Sequence, residues 1–141
     1  MKIVINRCFG GYGLSHEAVM RYLDLKGITV YPEQDEGTWK FWTYWLVKPE
    51  DRLEEKKGAD FYSMSMNERQ AHNQKHSEET FEENNIERND PVLVQVVEEL
   101  GGAANGEHAE LAIVEIPDDV EWEISEYDGS EHVAEKHRVW Y

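Results

Sequence analysis

The segment Gly10-Gly11-Tyr12-Gly13-Leu14-Ser15 puts three glycines in four positions, between the apolar run Lys2-Ile3-Val4-Ile5-Asn6 and an amphipathic segment starting at His16. Glycine permits backbone conformations closed to other residues and lets a ligand approach the main chain. The N–H groups that open a helix, with the positive end of its dipole, favour an anion. Arg7 and His16 flank the turn and suit a phosphate or carboxylate. The pattern lacks the Gly-Lys-Ser/Thr of a Walker loop and the spacing of a dinucleotide fingerprint. Two readings stand: a cradle of backbone donors from Gly10, Gly11, Tyr12, Gly13 and Ser15, or a tight strand-to-helix turn.

Lys136-His137-Arg138-Val139-Trp140 is the second constellation, because basic residues are scarce in this chain. His137 and Arg138 with Trp140 suit a cation and stacking platform for a base or phosphate. The same residues also suit an edge strand carrying charge against aggregation. Trp42, within the aromatic run Trp39–Val47, is a further stacking candidate, though large aromatics at such positions usually build core. His72 and His76 fall four apart beside Glu68 and Glu79, a spacing that serves zinc or simply a solvated helix face. There is no HExxH motif, Ser-His-Asp order, Cys-His pair or assignable acidic dyad. The chain therefore reads as a binding protein more than as an enzyme, with no catalytic residue, cofactor or metal assigned; an enzyme acting on nucleotides stays open and would require convergent acids or a metal site.

Several elements must position these residues. Lys2–Asn6 reads as a buried strand. Ser15 is a good N-cap, Ala18, Val19, Tyr22, Leu23 and Leu25 recur at helical spacing, and Gly27 is a stop. Ile28–Tyr31 then reads as a strand closed by Pro32. This order suggests a βαβ unit with two parallel strands. Trp39–Val47 reads as a central strand ended by Pro49. Residues 50–88 are a polar excursion or lid, in which Ser65-Met66-Asn67-Glu68 fits a capping box opening a helix to about His76, with Ser77–Asn85 as loop. Asp90-Pro91 opens a helix carrying Val92, Leu93, Val96, Val97 and Leu100, and Gly101-Gly102 ends it. Ala109–Ile116 reads as a strand. Asp128-Gly129 is a hairpin turn setting Ile124 opposite Val133 and Glu126 opposite Glu131. The like-charged pair is either solvated or the mark of a cation or of a basic partner's contact. The expected fold is α+β: one domain over 1–141, a mixed sheet shared by the N-terminal βαβ unit and the C-terminal hairpin, and two main helices packed on it.

The 141 residues suit one core, and 40% hydrophobic with 11% aromatic residues excludes global disorder. A net charge of −16 disfavours direct nucleic-acid binding and makes basic protein partners plausible, although acidity also aids solubility alone. A single cysteine, Cys8, excludes an internal disulfide and fits a reducing cytoplasm. The opening residues show no signal-peptide pattern and no apolar run reaches the length of a membrane span.

Lys2-Ile3-Val4-Ile5-Asn6-Arg7-Cys8-Phe9-Gly10-Gly11-Tyr12-Gly13-Leu14-Ser15 resembles the opening of a family of short, largely uncharacterised bacteriophage accessory proteins. Asp90–Gly101 and Glu126-Tyr127-Asp128-Gly129 through His137-Arg138-Val139-Trp140 resemble its second half. The resemblance implies a phage protein acting in the bacterial host cytoplasm, of a kind that often counters host defence. Two routes fit. One is sequestration of a small anionic, nucleotide-like defence signal, with Gly10, Gly11, Gly13 and Ser15 as donors, Arg7 and Arg138 as charge, and Trp42 or Trp140 stacking. The other is an acidic, DNA-mimicking inhibitor of a host defence enzyme.

Overall fold

The computed structural model describes residues 1–52, 62–137, 139 and 140, so part of the expected 50–88 excursion lies outside the described residues. The chain forms two compact units, Met1–Ile28 with Glu83–Tyr141, and Thr29–Glu82. The class is α+β.

In the first unit, β1 (Lys2–Asn6) leads through the glycine turn to α1 (His16–Lys26). Ser15 caps α1 by accepting the Ala18 N–H. Gly27 ends it in the left-handed region (φ 71°), donating its N–H to the Asp24 carbonyl. The later part holds α3 (Pro91–Leu100), β5 (Leu111–Glu115), β6 (Trp122–Tyr127) and β7 (Ser130–Glu135). Asp90 caps α3 through the Val92 and Leu93 N–H groups. Asp128 and Gly129 both take positive φ (50° and 89°), as a tight two-residue hairpin needs, and Ile124 faces Val133. The core joins Ile3, Val4 and Ile5 of β1 to Ala18, Val19 and Leu23 of α1 and Leu93, Val96 and Val97 of α3.

In the second unit, β2 (Tyr31–Gln34), β3 (Trp42–Trp45) and β4 (Thr80–Phe81) form a sheet with β3 central, beside α2 (Met66–Glu79). Ser65 caps α2 by accepting the Glu68 N–H. The helix runs past His76, and the expected loop of 77–85 instead contains its last turn, β4 and a short 3-10 turn at Glu83–Asn85. Trp45 is the unit's anchor. It is 3% exposed, His76 meets it edge-on at 5.4 Å, and the Arg52 guanidinium lies 4.7 Å from its ring centre.

The sheet arrangement differs from the single mixed sheet expected. Strand, helix and strand follow in order, but β1 pairs antiparallel with β5, β2 pairs with β3, and β6 pairs with β7. No parallel pair occurs among the described residues. Ile28–Val30 is not strand; pairing begins at Tyr31 and continues through Pro32, which an edge strand tolerates because its missing N–H faces outward. A seven-residue loop to β3 makes a local hairpin with a smaller closure cost than a crossover back to β1.

Candidate functional site

The turn is stitched shut on several sides. The Arg7 N–H donates to the Glu110 carbonyl at 2.9 Å, the Gly106 N–H to the Gly13 carbonyl at 2.9 Å, and the Ser15 N–H to the Ala104 carbonyl at 2.9 Å. The Ser15 hydroxyl donates to the Ala103 carbonyl at 2.6 Å. The glycines allow this approach. A Cβ on Gly10 would collide with the His108 carbonyl, and one on Gly106 would lie 2.7 Å from the Gly13 carbonyl carbon. One on Gly129 would lie 2.8 Å from both the Gly11 nitrogen and the Phe9 oxygen. Gly11 itself takes φ +111°. The glycine spacing thus serves backbone-to-backbone packing.

The turn also holds an anion of its own. Glu83 accepts the Leu14 N–H at 3.1 Å. Burial pushes the Glu83 carboxyl above its ordinary value, and the Leu14 N–H only partly opposes this. An external phosphate at this amide would displace a resident carboxylate. Nearby, the Tyr12 ring lies 3.3 Å from the Arg88 guanidinium carbon. The Tyr12 hydroxyl is buried and has no hydrogen-bond partner among the described residues. Burial pushes this phenol up to about 12, with Arg88 opposing and Glu83 and Glu131 adding.

Arg88 joins the turn to the hairpin. Glu131 accepts from its two terminal nitrogens and also from the Asn6 N–H at 2.8 Å. Burial pushes the Glu131 carboxyl up, but the Arg88 hydrogen bonds, the Asn6 N–H and the Arg88 charge hold it below its ordinary value. Fully buried Asn6 donates through its amide to the Cys8 and Gly129 carbonyls and accepts the Glu110 N–H. Sequence patterning points to none of Asn6, Glu83 and Arg88. It does point to the facing pair Glu126 and Glu131. Arg88 is the cation that Glu131 meets, and Glu126 accepts the Gly129 N–H.

The other candidates disperse. Burial lowers the affinity of His16 for a proton, with Glu17 opposing. Trp42 belongs to the second unit. The hairpin touches the turn at its tip, where the Ser130 hydroxyl reaches the Arg7 carbonyl. The basic run leaves from the far end, after Glu135, roughly 17 Å along the strand at 3.3 Å per residue. His137 is exposed, Trp140 is 84% exposed, and Arg138 lies outside the described residues. Among the described residues no cluster of three or more His, Cys, Asp and Glu suits a metal ion, and no helix is long and apolar enough to cross a membrane.

Charge is the other marked property. Residues 89–135 carry fourteen acidic residues and neither Lys nor Arg. The bases elsewhere in this unit are largely committed: Lys2 to Glu98 at 2.9 Å, Arg21 to Glu99 at 3.1 Å, Lys26 to Asp90 at 3.3 Å, and Arg88 to Glu131 at 2.7 Å. Exposed Arg7 makes no ion pair among the described residues. Comparison with protein-family models, curated proteins and solved structures returns no match.

Proposed function

We propose that this protein works without catalysis, as an acidic module that binds a basic protein surface. The observation that carries this reading is the stretch 89–135, with fourteen carboxylates and no Lys or Arg, in a unit whose remaining bases are mostly held by its own acids. Such a field attracts surfaces built to hold phosphate backbones and repels nucleic acid itself. In the setting that the resemblance implies, a bacteriophage accessory protein in a bacterial cytoplasm, the partner is a host defence enzyme that handles nucleic acid. The test is displacement of a labelled DNA duplex from a non-sequence-specific DNA-binding protein. Displacement that weakens steeply between about 50 and 200 mM salt is expected. None at either salt overturns the proposal.

A second reading, binding of a small anionic, nucleotide-like ligand at the turn, is favoured by one observation: exposed Arg7 beside the turn makes no ion pair among the described residues. A thermal-shift screen against nucleotides and cyclic nucleotides tests it. A shift that Arg7→Ala abolishes would establish it; no shift with any of them removes it.

A further inference from the structure

Two aromatic side chains of the second unit face water on one short loop. Trp39 is 75% exposed and Phe41 is 66% exposed, in the connection between β2 and β3. The loop is braced. The Asp35 N–H donates to the Phe41 carbonyl at 2.7 Å, the Gly37 N–H to the Asp35 carboxylate at 3.2 Å, and the Gln34 side-chain amide to the Lys40 carbonyl at 3.3 Å. Lys40 takes φ 51°, in the left-handed region that side chains other than glycine adopt only at a cost. Braced, exposed aromatics are a common form of binding anchor, because little freedom is left to lose on contact. Beside them, Glu36 is exposed and unpaired among the described residues, Asp35 adds a second negative charge, and exposed Lys40 between the two rings offsets one of them.

The chemistry of the occupant is repeated inside the molecule. The Arg52 guanidinium lies over Trp45, and that of Arg88 over Tyr12. We propose that the loop of residues 35–41 is an anchor for an arginine-rich face of a protein partner, with Trp39 and Phe41 receiving guanidinium groups on their rings and Glu36 supplying the opposite charge. The partner's chemistry rests on the acidic-module reading above. The rings, with two carboxylates against the one ammonium of Lys40, favour guanidinium over a lipid surface, since the net acidic loop is repelled by anionic headgroups.

The test uses the full chain and a fluorescently labelled nona-arginine peptide, read by anisotropy at low salt, about 50 mM. Wild-type protein is expected to bind, and Trp39→Ala to weaken binding about tenfold, with Phe41→Ala less severe and Trp39→Phe retaining most of the affinity. Glu36→Gln is expected to reduce the salt dependence. All four variants should melt with the wild type, because these side chains are exposed. Absence of wild-type binding overturns the acidic reading and this one together. Wild-type binding that Trp39→Ala and Phe41→Ala both leave within about twofold overturns the loop assignment alone. Two further results also overturn it, by giving the loop a lipid or a second copy as its occupant. One is a blue shift of tryptophan fluorescence on phosphatidylcholine vesicles that Trp39→Phe removes. The other is self-association abolished by Trp39→Ala.

Discussion

Arg88 grips Glu131 with both terminal guanidinium nitrogens, at 2.7 and 3.0 Å, across 43 residues of sequence. The Glu131 side chain is only 8% exposed and that of Arg88 21%. The same carboxylate takes the Asn6 N–H, and Arg88 donates to the Val4 carbonyl at 3.3 Å. One ion pair therefore ties β1, β7 and the segment before α3 together. Removing one partner strands the other in a largely dry site. Arg88→Ala is expected to cost about 2–4 kcal/mol in urea unfolding, since an orphaned buried charge is the main penalty. A loss below about 0.5 kcal/mol would place the pair among ordinary surface ion pairs.

The pH dependence separates three carboxylates. Those of Glu131 and Asp90 are held below their ordinary values, despite burial that opposes this. Asp90 accepts from Tyr22, Val92, Lys26 and Leu93. Their stabilisation is present above the unfolded carboxylate values near about 4 and is lost as pH falls through the depressed folded values. Glu83 is raised, so its contribution has the opposite sign: present below the unfolded value and lost as pH rises through the folded one. Glu83→Gln keeps an acceptor for Leu14 and removes a buried charge. Its melting temperature at neutral pH is expected to equal or exceed that of the wild type. A fall of more than about 4 °C, roughly 1 kcal/mol for a small domain, would show that the charge itself holds the turn.

Close backbone packing makes a sharp prediction about glycines. Gly10→Ala and Gly129→Ala must move backbone, and Gly129 adds a φ of 89° that alanine resists. Each is expected to lose about 2–4 kcal/mol by chemical denaturation, combining overpacking with conformational strain. Gly102 is the control. Its φ lies outside the left-handed region, and a methyl group there would meet no atom within 4 Å, so Gly102→Ala should be nearly neutral.

Asp90 does two jobs: it caps α3 and accepts the Tyr22 hydroxyl at 2.7 Å, linking α1 to α3. Tyr22→Phe is expected to cost about 1 kcal/mol and Asp90→Ala about 2 kcal/mol or more, with the double variant less than additive. Strict additivity in a double-mutant cycle would show the two residues to be uncoupled.

What was legible in the sequence was local. Ser15, Ser65 and Asp90 cap the helices where their spacing to the following residues predicts, and Asp128-Gly129 turns the hairpin in the register expected from Ile124 and Val133. These signals lie within a few residues of one another. Strand pairing does not, and β1 meets β5 across more than a hundred residues with no local cue to prefer it over β2. The aromatic run misleads for a related reason. Only Tyr44 and Trp45 of Trp39–Val47 are buried, because the hairpin loop takes up Trp39 and Phe41 before the strand begins. At the turn, the glycines are visible in the sequence but their neighbours are not: His108, Gly106 and Gly129 come from distant segments.

The division of the chain sets an order of events during synthesis. Residues 29–82 are contiguous, so the sheet of β2, β3 and β4 has all its strands once Phe81 has left the ribosome. The first unit has no such early completion. Its opening strand waits for β5, and Asn6 waits for Gly129 and Glu131. Until then Ile3, Val4 and Ile5 emerge without their partners, and residues made before the second unit find their place only after it.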